Sequence, residues 1–217
     1  MRLNELAKHY LVYEESDGGG FQRKARILQS IWRSESGYEA GEYAGKIRGN
    51  YLEKRWAEKT LNNYLSETIK GVVAKEVNEN AEKKLYARPR IFNNLLSSQP
   101  LAFNLFAELK ADLRLASDVF RYLLPERVDE VVRIEFEHSP GRGSDRYTGD
   151  RSAFDVYAEF LNKAGEKGFV GIEVKYHENL RNQPARMKQR YREIAFGMDC
   201  FDSGTIEKLE AAPMEQI

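Results

Sequence analysis

The apolar period of this chain changes once, near Pro125, and that change limits the fold more than any other feature. Before it, apolar residues recur at helical spacing. Ile27, Leu28 and Ile31 mark a helix over 21–34, and Leu52, Trp56, Leu61, Leu65, Ile69 and Val73 mark a longer one over 51–80. Residues 81–98 read as a further helix interrupted near Pro89, and Pro100 opens a helix that runs to about residue 124. After Pro125 three runs alternate as strands do. Val132, Ile134 and Phe136 alternate with Arg133, Glu135 and Glu137 over 130–138, and Pro140-Gly141-Arg142-Gly143-Ser144 ends the run. Phe154, Val156, Ala158 and Phe160 alternate with Asp155, Tyr157 and Glu159 over 153–161. Val170, Ile172 and Val174 alternate with Glu173 and Lys175 over 168–176, before a basic helix over 184–198. The chain therefore reads as an α-helical N-terminal extension, 1–99, followed by a mixed α/β core, 100–217. Asp17-Gly18-Gly19-Gly20 reads as a flexible joint.

Charge narrows the function classes. Lys plus Arg equals Asp plus Glu at 34 each, so the net charge is zero. A polybasic binder, whose whole surface attracts phosphate, is excluded, and any nucleic-acid contact must be a local patch. Hydrophobic residues at 41% suffice for a real core. The single cysteine, Cys200, rules out an intrachain disulfide and fits a reducing compartment. The N-terminus lacks the apolar stretch of a signal peptide, and no run approaches the roughly 20 apolar residues of a membrane span. A cytoplasmic protein that does not enter the membrane is expected.

The chemistry concentrates in Ile172-Glu173-Val174-Lys175, one hairpin after Phe154-Asp155-Val156. Alternation puts Glu173 and Lys175 on one face of their strand. A five-residue turn between Leu161 and Lys167 sets Asp155 opposite Glu173, whereas a six-residue turn sets it opposite Val174, on the wrong face. In the first register two carboxylates and an ammonium converge within about 5 Å. Two acids that close repel unless a cation joins them, and an oxygen-only site suits Mg²⁺ or Mn²⁺. The same alternation also describes a solvated face with cross-strand ion pairs. Glu82-Lys83-Lys84 is a second acid–base run, in a stretch of helical period where residues two apart do not share a face.

Asp155, the short hairpin and Glu173-Val174-Lys175 resemble the PD-(D/E)XK nuclease superfamily, which includes many restriction endonucleases and repair nucleases. The order of elements from residue 100 to 198 is similar to that family's restriction-endonuclease-like αβββαβ core, with the final strand not evident. Residues 199–217 read instead as loop and a short polar helix over 205–212, so the last strand comes from elsewhere or the chain is a truncated form. Phe154 stands where the family often has proline. The resemblance implies that Asp155 and Glu173 bind Mg²⁺ or Mn²⁺, that Lys175 is catalytic beside them, and that DNA is the substrate, with RNA not excluded. The alternative is a catalytically inactive nuclease-like fold acting as a nucleic-acid- or protein-binding module.

Further candidates surround this group. Glu108 in the helix from Pro100 is a possible additional acid, against the plainer reading of a solvated helix residue, and Glu137 beside His138 is another. Arg142, Arg146 and Arg151 in the loop before Asp155, and Arg186, Lys188 and Arg190 near the last helix, are candidate phosphate contacts, with Arg181 and Arg192 nearby. Each is equally readable as part of a solvated face. Arg23, Lys24, Arg26 and Arg33 suggest that the helical half is a DNA-binding or dimerisation extension, and a homodimer is admitted.

Overall fold

The computed structural model describes residues 2–12, 20–79, 84–149, 152–178, 184–185, 188–211 and 214–215. They fall into two compact units, Met1–His138 with Phe154–His177, and Ser139–Ala153 with Glu178–Ile217. The fold is mixed α/β with small antiparallel sheets, as the change of period requires.

The first unit opens with helices α1 (Leu3–His9) and α2 (Gly20–Glu35), joined by a small cluster of Ala7, Val12 and Ile27. A hairpin of β1 (Ala40–Tyr43) and β2 (Lys46–Leu52) follows, turning through Ala44 and Gly45, both at positive φ. The sequence pattern carries no sign of this hairpin beyond its glycines. It also takes Tyr51 and Leu52 from the helix expected over 51–80. That helix breaks into α3 (Lys54–Thr60), α4 (Glu67–Val73) and a π-helical turn, Ala74–Glu79. The breaks have local causes. The Glu53 carboxylate accepts from the Arg55 and Trp56 amides and starts α3 afresh, and Ser66 Oγ does the same for α4 through the Ile69 amide.

The helix expected over 81–98 is reduced to α5 (Arg90–Asn93) among the described residues. Residues 84–87 are non-helical, and the Gln99 side chain straps them by accepting from the Ala87 amide and donating to the Leu85 carbonyl. The helix from Pro100 becomes two, α6 (Ser98–Ala111) and α7 (Leu113–Leu123). Asp112 divides them because its carboxylate caps the amides of Arg114 and Leu115.

Strands β3 (Glu130–His138), β4 (Phe154–Leu161) and β5 (Lys167–Ile172) form an antiparallel sheet with β4 in the middle. The first two match the expected strands closely, and the third ends earlier than expected. Asn162 fixes the β4–β5 turn: its Oδ1 accepts from the amides of Ala164 and Glu166, and Gly165 supplies a φ of 77°. Ile134, Phe136, Val156 and Ala158 turn one sheet face into the core. Phe103 of α6 stacks on Phe136 with ring centroids 4.0 Å apart. The main cluster draws on residues from Leu52 to Val174, so side chains from both sides of residue 100 share it.

In the second unit, the helix expected over 184–198 starts only at α8 (Gln189–Gly197). Pro184–Ala185 (β6) instead pairs with Met214–Glu215 (β7), because proline suits a short edge pair better than a helix interior. The polar tail helix is α9 (Ser203–Ala211), capped by Asp202 through the Thr205 amide. Among the described residues no fourth strand joins the β3–β4–β5 sheet, and no helix is long and apolar enough to cross a membrane.

Candidate functional site

Loop length decides where Asp155 stands. Residues 162–166 link Leu161 to Lys167, which face each other, and the register runs unbroken to Val156 opposite Ile172. Continued by one step, it sets Asp155 across from Glu173. This is the five-residue alternative that the acid pair requires.

Strand pairing stops at Ile172, so something other than the ladder must orient the residues that follow. The Val174 amide donates to Asp155 Oδ2 at 2.7 Å, in place of a further ladder bond. The Val174 side chain is 5% exposed and belongs to the main core. With Val174 held inward, its neighbours turn outward together, and Lys175 Nζ lies 2.5 Å from Glu173 Oε1. Glu173 is 43% exposed at its side chain and Lys175 27%, so the pair meets solvent. Two carboxylates and one ammonium leave one net negative charge at the open end of the sheet.

Helix α2 holds the other side of this segment. Gln22 Nε2 donates to the His177 carbonyl at 2.9 Å, and Gln29 Nε2 donates to Tyr176 Oη at 2.6 Å. Burial pushes the Tyr176 phenol up, and the Gln29 bond works against that rise. These two glutamines escaped the sequence reading. Their spacing of seven residues puts them on one helix face, but polar residues at that spacing are ordinary on any solvated helix.

The other candidates are engaged elsewhere. Glu108 Oε1 accepts from Ser66 Oγ at 2.7 Å, tying α6 to the cap of α4. Glu137 has a φ of 50°, which takes it out of strand geometry, and its Oε1 accepts from Gln99 Nε2 at 2.6 Å. His138 packs on the Tyr157 ring at 4.2 Å. Among the described residues no group of three or more His, Cys, Asp or Glu side chains is placed to share a metal ion. Asp155 and Glu173 are the two carboxylates that the described residues bring to this end of the sheet.

The basic candidates of the second unit are described within it. Arg190 donates through Nε to the Tyr147 carbonyl at 3.1 Å and through Nη2 to the Asp145 carbonyl, fastening the 139–149 loop to α8. Lys188 lies over the Tyr191 ring at 5.3 Å. Arg146 is exposed, and Arg142 is half-buried. Arg151, Arg181 and Arg186 lie outside the described residues. In the first unit Arg33 is not a surface contact: it is buried and donates to the carbonyls of Gly49 and Tyr38.

Chemically, the end of the sheet offers an acid pair of hard oxygen donors, an adjacent ammonium and access to solvent. The model of a protein family described as the PD-(D/E)XK nuclease superfamily matches residues 15–217, nearly the whole chain. No curated protein and no solved structure matches it significantly.

Proposed function

Because this chain belongs to the PD-(D/E)XK nuclease superfamily, we propose that it is a metal-dependent nuclease that hydrolyses DNA phosphodiester bonds, of restriction or repair type, through Asp155, Glu173 and Lys175. One observation supports the reading: the Val174 amide donates to Asp155 Oδ2 at 2.7 Å while its neighbours Glu173 and Lys175 meet at 2.5 Å, so all three side chains belong to one end of the β4–β5 hairpin. The donor set fits a hard divalent ion, Mg²⁺ or Mn²⁺, because both proposed ligands are carboxylates. Carboxylate ligands of this kind suit an ion that keeps several waters and also meets phosphate. Such an ion, when bound, supplies Lewis-acid stabilisation of the phosphoryl charge.

The chain's own residues do the rest. Asp155 and Glu173 would hold the ion, and the Val174 amide fixes one oxygen of the Asp155 carboxylate. Lys175, paired with Glu173 in this structure, would donate to a phosphate oxygen of the substrate and spread the charge that develops there. Arg142, Arg146, Lys188 and Arg190, with Arg151 and Arg186, contribute phosphate contacts that position DNA without reading its sequence.

A second reading rests on the Lys175–Glu173 ion pair. It satisfies both charges without a metal, as expected of a nuclease-like fold that serves only as a nucleic-acid- or protein-binding module. Incubation with DNA and Mg²⁺ separates the two. Cleavage by the parent and none by Asp155→Ala or Lys175→Ala supports the nuclease, and RNA offered in parallel decides the polymer. A parent that neither cuts nor binds Mn²⁺ overturns it in favour of the module.

A further inference from the structure

The first unit also carries a cleft between the start of the β1–β2 hairpin and the first turn of α3. Gly37, Tyr38, Glu39, Glu53 and Trp56 line it, around about 360 Å³. Every side chain in that wall is aromatic or acidic, and no lysine or arginine lines it. This combination is selective. Carboxylates repel phosphate and other anions, while a purely apolar ligand gains nothing from two acids. Bare metal ions want lone pairs, and aromatic faces offer only a quadrupole. What gains from both is a weakly hydrated organic cation, attracted to ring faces and to carboxylates alike.

The wall is held in place. The Tyr38 and Trp56 rings lie 4.6 Å apart at 51°, and Trp32 meets Tyr38 edge-on at 5.8 Å. The buried Arg33 grips the Tyr38 carbonyl at 2.5 Å from behind, spending its charge on backbone oxygens. Glu53 is fixed by the Trp56 and Arg55 amides at 2.7 and 3.0 Å, and those bonds hold its carboxyl below the usual range, so it is ionised at neutral pH. Glu39, on the opposite lip, is exposed and makes no hydrogen bond or ion pair with another described residue. Its charge is available to a ligand.

We propose that this cleft binds a compact organic cation of the trimethylammonium type, seated against Tyr38 and Trp56 and between Glu39 and Glu53. A cleft of this volume accommodates such a head group with its first methylenes. The inference does not depend on the nuclease reading.

Trp32 and Trp56 are the two tryptophans of the chain, so intrinsic fluorescence of the whole protein reports on the site. Choline chloride is titrated at constant ionic strength beside 3,3-dimethyl-1-butanol, which replaces the charged nitrogen with carbon. We expect a saturable change with choline and a response about tenfold weaker or more with the alcohol. Glu39→Gln weakens choline binding about threefold or more, and Trp56→Phe weakens it while keeping α3 folded, checked by circular dichroism. A peptide bearing trimethyllysine binds better than choline if the head group belongs to a protein, and worse if it is a free small molecule. Equal half-saturation by choline and the alcohol, a response that never saturates, or binding unchanged by Glu39→Gln overturns the proposal.

Discussion

Glu173 and Lys175 stand beside solvent at the end of the sheet, whereas Glu76, Lys84, Lys110 and Glu135 close over the free edge of β3. The two groups use the same side chains in different company. Glu76, in the π-helical turn and 9% exposed at its side chain, meets Lys84 at 2.8 Å and Lys110 at 3.1 Å. Lys84 also meets Glu135 at 3.3 Å, and Lys110 donates to the Ile134 carbonyl at 2.6 Å. Two acids and two ammoniums there cancel, and each charge has its partner inside the fold. At the end of the sheet the sum is one negative charge, and water reaches it. A saturated group centred on a buried acid can hold parts of a molecule together but has nothing left for a ligand. The open group is the reverse, and access, more than composition, separates scaffold from site.

That contrast breaks most visibly at Glu76. Glu76→Ala leaves two partly buried ammoniums without their acid, and we expect a loss of about 3–5 kcal/mol in urea unfolding. A loss under about 1 kcal/mol would mean the edge cluster is as dispensable as a surface pair. Lys175→Ala should behave oppositely. Cleavage should fall about 10²–10³-fold, with a melting temperature close to that of the parent. A Lys175→Ala protein that unfolds easily, or a Glu76→Ala protein that folds well and cuts slowly, would exchange the roles assigned to the two groups.

Acid sharpens the comparison further. Burial alone would raise the Glu76 carboxyl, but the Lys84 hydrogen bond and the Lys110 and Lys84 charges outweigh it and hold it below the usual carboxylate range. A carboxyl depressed in the folded state adds stability that is fully present above its unfolded value and is lost as pH falls through the folded one. The gap in urea midpoint between the parent and Glu76→Gln should therefore stay constant from pH 7 to about 5 and close at lower pH. A gap that does not narrow at all as acid is added would mean that packing, not charge, carries the effect.

Much of this was legible in the sequence, and the illegible part has physical reasons. Alternation in the second half gave β3 and β4 nearly to the residue, because a half-buried strand writes its burial into every second position. The Asp155 register stayed open in the sequence between a five- and a six-residue turn, and the pairing of Leu161 with Lys167 selects the five-residue one. The helical half was read less well, since apolar periodicity continued through the chain breaks imposed by Glu53, Ser66 and Asp112. Each break depends on one side chain capping backbone amides, a short-range event that does not disturb the wider pattern. The Glu76 cluster was invisible because Lys110 and Glu135 come to Glu76 and Lys84 from distant parts of the chain. Glu108 and Glu137 illustrate the converse: each has the right chemistry in the right element, yet Ser66 and Gln99 hold their carboxylates.

The smallest expected effect lies at the tether between α2 and the residues after Lys175. β5 ends at Ile172, so the direction of Lys175 depends on the Asp155–Val174 bond, the buried Val174 side chain and the two α2 glutamines. Gln29→Leu removes one neutral, part-buried hydrogen bond, worth about 0.5–1.5 kcal/mol. If that bond only stiffens the fold, the loss appears in unfolding and the cleavage rate at saturating DNA is unchanged. If it aims the Lys175 segment, kcat falls up to about tenfold with little change in KM. Tyr176→Phe separates these outcomes, because it leaves no hydroxyl for Gln29 to grip. Adding Gln29→Leu to Tyr176→Phe should then slow cleavage no further, and a fully additive loss would show that the two side chains act independently. Non-additivity would extend the working site from three residues at the end of the sheet to a helix more than 140 residues away in the chain, which the Glu76 cluster, satisfied within itself, has no means of doing.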